Sequence, residues 1–138
     1  MKSRLLTVIA VPTVAVVLAA GAASASTMHA TLGAHLSGMG ETGVVNLQVN
    51  MTSSKLCWAF TLPSGMGATV AAIHAGKTGA AVLELGMHYT AKGCSGAPKM
   101  VLEHLETSPA TYWVWVNTRA HMGELRGALF AGMAHTHM

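Results

Sequence analysis

Residues 45–51 alternate apolar and polar side chains without a break, and this alternation constrains the fold more than any other feature of the chain. Successive side chains of a β-strand point to opposite faces, so the pattern predicts a strand with one buried face. A polar turn follows at 52–55, and residues 56–62 then alternate large and small side chains. The two segments are therefore predicted to form a β-hairpin.

The rest of the chain predicts more short strands. They are expected at 70–74, 81–85, 111–118 and 124–130, where β-branched, aromatic or alternating apolar residues dominate. Residues 99–106 carry apolar side chains at helical spacing shortly before a proline, which predicts one short helix. A loop at 93–98 and a turn at 121–123 complete the pattern. Short strands separated by glycine-rich turns predict an all-β, antiparallel β-sandwich.

The first 25 residues have the character of an export signal. Lys2 and Arg4 precede the apolar run 5–20, and Ala23-Ser24-Ala25 forms a small-x-small cleavage site, so a cleaved secretory signal peptide is predicted over 1–25. An uncleaved membrane anchor is the alternative, although the run is short for a span and contains a proline. We therefore expect a secreted, extracellular protein with no stable membrane span after cleavage.

Residues 26–130 are predicted to form one small domain, followed by a flexible His/Met-rich tail at 131–138. The whole chain has a net charge of +3, and without the two basic residues of the signal it is +1. With no basic run, the chain offers nucleic acid no electrostatic attraction, so no nucleic-acid partner is expected. Cys57 and Cys94 predict one disulfide in an exported domain. A pair of free thiols that binds metal is the alternative.

Histidine and methionine supply the main functional clue. The chain has 8 His and 10 Met, its only acids are 5 Glu, and Met28-His29, Met87-His88, His121-Met122 and His137-Met138 are direct neighbours. Imidazole and thioether with few carboxylates are a ligand set that favours copper, especially Cu(I), over calcium or magnesium. The candidate metal ligands are His74, His121, Met122, His135 and His137. Imidazoles bind metal when neutral, so affinity is expected to fall at acidic pH.

Each candidate also has a plainer interpretation. His74 would be a hydrogen-bonded structural histidine, His121-Met122 a solvated turn, and the tail a polar end of accidental composition. In an extended tail, however, His135 and His137 would lie on one side and could chelate a metal together. Four other methionines are predicted to fill gaps in the core or loops: Met39, Met51, Met66 and Met100.

Two tryptophans share one face of the predicted strand 111–118, opposite Val114 and Val116. Trp113 and Trp115 would then lie on the outer side of the sheet. One interpretation is that an indole face caps a bound Cu(I) ion through a cation–π contact. The other is that both rings cover the outer sheet under a loop or at a contact with another protein.

Three motifs together resemble the CHRD domain family: Ala72-Ile73-His74-Ala75-Gly76, the stretch from Pro109 to Thr118, and Gly123-Glu124-Leu125-Arg126-Gly127. The similarity runs from about residue 30 to residue 130. It implies a Greek-key, immunoglobulin-like β-sandwich that is similar in outline to copper–zinc superoxide dismutase. Family members usually carry histidine where this chain has Ala72 and Asn117, so a metal site inherited unchanged from the family is not expected.

These observations predict a secreted CHRD-like domain that binds copper or a similar soft metal ion as a scavenger, buffer or carrier. The alternative is an extracellular interaction module without metal, which contacts another envelope or extracellular protein through Trp113 and Trp115. This second function is implied by chordin, whose CHRD domains sit in a protein that binds growth factors. A superoxide-dismutating enzyme is the least favoured function, because a shared outline is weak evidence for an activity. No catalytic residue is predicted.

Overall fold

The computed structural model describes residues 29–135. The predicted signal peptide and His137 lie outside the described residues. The elements are β1 (His29–Gly38), β2 (Glu41–Asn50), β3 (Lys55–Thr61), β4 (Ala68–His74), β5 (Ala81–Glu84), β6 (Lys92–Gly96), α1 (Lys99–Thr107), a 3₁₀ turn (Pro109–Thr111), β7 (Trp113–Thr118) and β8 (Leu125–Ala131). The predicted all-β, antiparallel fold with one short helix is confirmed.

The eight strands form one curled sheet in the order β5-β4-β7-β8-β1-β2-β3-β6. Strands β1, β2 and β3 form a meander, and β8 returns to lie on the other side of β1, which is the spatial order of a Greek key. One hydrophobic cluster contains side chains from both halves of the sheet, for example Leu56 of β3 and Ile73 of β4. The sheet therefore curls around a single core, as the two layers of a sandwich do.

The β2–β3 hairpin follows the predicted alternation. Its inward pairs are Val45 with Phe60, Leu47 with Trp58 and Val49 with Leu56. All six side chains are buried, whereas Asn46 and Gln48 of β2 point outward. Apolar cross-strand pairs of this kind fix the register, because a shift by one residue would expose the whole buried set.

Strand β7 confirms the predicted division of its two faces. Val114 and Val116 are fully buried, whereas Trp113 and Trp115 are half-buried on the outer face. On the neighbouring β8, Leu125 and Leu129 are buried and Arg126 lies outside. The outer face of β4, β7 and β8 is therefore the surface on which the tryptophans meet charged side chains.

Two strands differ from the sequence prediction. No strand was predicted for the segment of β1. It nevertheless occupies the centre of the sheet, between β2 and β8, and its Leu32, Ala34 and Leu36 are buried. Strand β6 occupies the segment predicted as a loop. Gly93 and Ser95 have low intrinsic strand preference, but Cys94 lies directly opposite Cys57 of β3. The predicted Cys57–Cys94 disulfide is present and joins β6 to the sheet edge.

The first part of the C-terminal tail has a fixed position on the sheet. After β8, the backbone N–H of Gly132 donates to the carbonyl oxygen of Thr31. The N–H of Ala134 then donates to Asn46 Oδ1 (2.6 Å), and Asn46 Nδ2 donates to the carbonyl oxygen of Ala134 (3.0 Å). Ala134 is only 3% exposed. These bonds connect residues 132–134 to β1 and β2, and the flexible tail over 131–138 stays a prediction.

Among residues 29–135, no helix is long and apolar enough to cross a membrane.

Helix α1 has nine residues and buries Leu102 and Leu105 against the hydrophobic core. The helix therefore covers part of the core.

Candidate functional site

Trp115 lies at the centre of a three-layer stack on the outer face of the sheet. The imidazole of His74 is parallel to its indole ring, with centroids 3.7 Å apart and planes 7° apart. The guanidinium carbon of Arg126 lies 3.8 Å from the same ring centroid. Because β4 and β8 flank β7 on opposite sides, His74 and Arg126 cover opposite faces of the indole.

His74 and Arg126 make hydrogen bonds in this stack, whereas Trp115 Nε1 is buried without a hydrogen-bond partner in the described part of the chain. The Nδ1 atom of His74 lies 2.8 Å from the carbonyl oxygen of Gly79, which can only accept, so Nδ1 carries the proton. Arg126 Nε donates to the carbonyl oxygen of Gly123, and Arg126 Nη1 donates to the carbonyl oxygen of Lys77. These contacts place His74 as a hydrogen-bonded, stacked histidine, and leave Trp115 no open face for an additional cation.

A groove of 520 Å³ lies beside this stack. Met39 reaches it from the β1–β2 turn, whereas His121 and Met122 reach it from the β7–β8 turn. Trp113, Lys77, Glu124 and Arg126 also line it. We call it the thioether groove, because the fold brings two methionines and one histidine from distant parts of the chain into one depression.

The β7–β8 turn that carries His121 and Met122 has a well-defined backbone. The N–H of His121 donates to Thr118 Oγ1 (3.1 Å), and the N–H of Gly123 donates to Asn117 Oδ1 (2.6 Å). Gly123 has a φ of 61°, which favours glycine. A Cβ there would also lie 2.8 Å from Arg126 Nε. The side chains of the turn are exposed, whereas its backbone is held in place by these hydrogen bonds and by the stack beneath it.

Methionine dominates the exposed apolar surface. Five of the six large apolar side chains exposed within the described range are methionines, the sixth being Val82. Met39 is 64% exposed and Met122 is 79% exposed, whereas Met51 and Met66 pack against the core. Every leucine and isoleucine within residues 29–135 is buried or half-buried instead. Filling gaps in the core does not account for thioethers that face solvent.

The thioether groove carries charges of both signs. Lys77 and Arg126 are cationic and Glu124 is anionic. Arg126 is committed to the stack and to two carbonyl oxygens, and the Lys77 ammonium lies 5.9 Å from the centroid of Trp113. Glu124 Oε1 accepts a hydrogen bond from Thr118 Oγ1 (2.8 Å). The local balance is therefore slightly positive, which disfavours a cation of high charge.

His135 lies in a second groove, of 620 Å³, where it is joined by His35 of β1. We call this the imidazole groove. The ring of His35 stacks on Phe130, with centroids 5.5 Å apart. Asn46 holds the preceding residue, Ala134, by two hydrogen bonds, so the backbone enters His135 from a fixed point beside β2.

The five predicted ligands are thus distributed over different places. His121 and Met122 share the thioether groove, His135 lines the imidazole groove, and His74 belongs to the tryptophan stack. His137 lies outside the described residues. No cluster of three or more His, Cys, Asp or Glu side chains with metal-binding geometry occurs within residues 29–135. Any metal site in this part of the chain therefore depends on thioethers or on fewer protein ligands.

Two groove residues were not identified from the sequence. From the sequence, Met39 is an ordinary core or loop residue, and His35 has no assigned role. The glycines on both sides of Met39 predict an exposed turn, and the alternation Leu32-Gly33-Ala34-His35-Leu36 would have placed His35 on an outer face. The residues that share a groove with Met39 or His35 could not have been identified from local sequence patterns, because they depend on which strands pair.

Comparisons with protein-family models, with curated proteins and with solved structures found no match. The resemblance to the CHRD family therefore remains a prediction carried by the three motifs. What the chain can bind has to be argued from its own side chains.

Proposed function

We propose that this protein is an exported, CHRD-like β-sandwich that binds a soft monovalent metal ion, Cu(I), in the thioether groove and serves as a scavenger, buffer or carrier. The observation that carries the proposal is that Met39, His121 and Met122 line the same groove. Two thioether sulfurs and one imidazole nitrogen form a donor set suited to Cu(I).

The charge of the groove supports a monovalent ion over a divalent one. Lys77 and Arg126 repel any cation, and the repulsion of a divalent ion is twice that of a monovalent ion at the same place. Glu124 supplies only one compensating charge. Zinc and calcium also gain little from thioethers, because they prefer harder donors. The soft donors of the groove and its weak positive net charge therefore both favour Cu(I) over a divalent ion.

The exposure of the thioethers supports a site that loads and unloads. Met39 and Met122 face solvent, and methionine has three rotatable side-chain bonds with which to close around an ion. The backbone of the β7–β8 turn is fixed, so only side chains need to move. An accessible site of this kind suits a buffer or carrier better than a buried structural metal.

The test is a Cu(I) titration of the purified protein against a competing chelator. Met39→Leu, Met122→Leu and His121→Ala are each expected to weaken Cu(I) binding at least about tenfold, because each removes one donor. Leucine conserves methionine's apolar volume without its sulfur. Met100→Leu is the matched control, since Met100 is 68% exposed on α1 and lies outside the groove.

Equal losses in the Met100→Leu control would mean that the methionines act without a defined site. Unchanged Cu(I) binding in a variant that carries all three groove substitutions would overturn the proposal. Absence of Cu(I) binding in the unmodified protein would leave the extracellular interaction module as the better hypothesis, because exposed methionines also form adaptable protein-binding surfaces.

A further inference from the structure

We infer that the imidazole groove is a second metal site, in which His35 and His135 bind a borderline divalent ion such as Zn(II). This inference does not rest on the Cu(I) proposal, because the residues and the ion differ and no thioether takes part. His35 comes from β1 and His135 from the segment after β8, and both line one depression of 620 Å³.

Neighbouring groups hold the His35 ring and the backbone next to His135. The His35 ring stacks on Phe130 with an interplanar angle of 23°, and two hydrogen bonds between Asn46 and Ala134 hold the residue immediately before His135. An ordered ring and an ordered adjoining backbone reduce the conformational entropy that is lost on binding a metal. Support by surrounding contacts is also what orients the ligands of established metal sites.

The chemistry of the imidazole groove differs from that of the thioether groove. Its polar lining consists of the two imidazoles and the hydroxyls of Ser37, Thr42 and Thr61, together with backbone atoms, and no lining residue carries a fixed charge. Imidazole nitrogen suits Zn(II), Cu(II) and Ni(II). Two protein ligands leave open positions on a tetrahedral Zn(II), which water or an exogenous ligand would fill. An open coordination shell indicates an exchangeable site.

The experiment is a Zn(II) titration by calorimetry, with imidazole NMR signals recorded in parallel. His35→Ala and His135→Ala are each expected to weaken Zn(II) binding at least about tenfold, and the NMR signals of both rings should shift together in the unmodified protein. His104→Ala is the matched control, because His104 is exposed on α1 and lines neither groove. His137→Ala tests whether a tail chelate accounts for the binding instead.

The inference is overturned if Zn(II) binding survives in His35→Ala, or if His137→Ala abolishes it while His35→Ala does not. Failure of this site is distinguishable from failure of the Cu(I) site. Zn(II) binding should be unchanged by Met39→Leu and Met122→Leu, and Cu(I) binding in the thioether groove should be unchanged by His35→Ala.

Discussion

Asn46 is the residue whose replacement tests most directly whether the segment after β8 is positioned by the sheet. Its side-chain amide makes two hydrogen bonds to the backbone of Ala134, at 2.6 and 3.0 Å. Each bond contributes about 1 kcal/mol net, so Asn46→Ala removes about 2 kcal/mol from the contact between this segment and β2. Fixing the backbone of one residue costs about 1–2 kcal/mol of conformational entropy. Without the two hydrogen bonds this cost is no longer offset, so we expect residues 133–135 to detach.

The detachment should be local. Ala134 is buried but lies outside the main hydrophobic cluster, so the urea midpoint of the whole domain should change little. Amide hydrogen exchange should show fast exchange at Ala134 in Asn46→Ala and slow exchange in the unmodified protein. If His135 binds Zn(II) only in the docked form, a loss of 2 kcal/mol lowers Zn(II) affinity by at most about 30-fold.

A second variant, on the neighbouring strand β1, tests the same contact. A Cβ at Gly33 would lie 2.5 Å from the Ala134 nitrogen, so Gly33→Ala should also displace the segment, by steric conflict instead of bond loss. Gln48→Ala is the matched control, since Gln48 is exposed on the same face of β2. Slow exchange of Ala134 in both Asn46→Ala and Gly33→Ala, or the same effect in Gln48→Ala, would show that the contact with Asn46 does not position this segment.

Three further predictions concern stability and proton linkage. Replacing Cys57 and Cys94 by serine should lower the free energy of unfolding by about 4 kcal/mol in urea titrations, since the bridge closes a loop across a sequence separation of 37; an unchanged midpoint would contradict this. Arg126→Lys should cost about 1 kcal/mol, measured as a lower melting temperature, because lysine cannot stack on Trp115 while donating to two carbonyl oxygens. Because two imidazoles would bind Zn(II) and only one would bind Cu(I), lowering the pH should weaken Zn(II) binding more steeply than Cu(I) binding. Titrations of each metal over a series of pH values measure the two slopes, and equal slopes would contradict the two assignments.

The elements that the sequence predicted correctly are those whose own residues determine their structure. The β2–β3 hairpin has an unbroken alternation of large apolar side chains, and β7 combines β-branched and aromatic residues with a clear division of faces. Helix α1 was predicted because its apolar spacing and the proline after it are local signals. The disulfide was predicted from the even cysteine count together with the predicted export of the domain.

What the sequence did not predict depends on contacts made elsewhere in the chain. Gly93 and Ser95 enter a strand because Cys94 is joined to β3, and β1 is stabilised by neighbours on both sides in spite of its glycines and small residues. The two grooves have the same origin. His121-Met122 was identified as a pair, but its proximity to Met39 arises only when β8 pairs with β1.

The central position of β1 has a consequence for how the chain acquires its structure. The first strand and the last strand pair with each other, with Leu32 opposite Ala131, so one edge of the meander stays open until nearly all of the described chain is available. An unpaired strand edge is a template for association with other chains, and pairings between distant segments form slowly. The period before β8 docks is therefore when this protein is most exposed to aggregation, and a chain cut short before β8 would keep that open edge permanently.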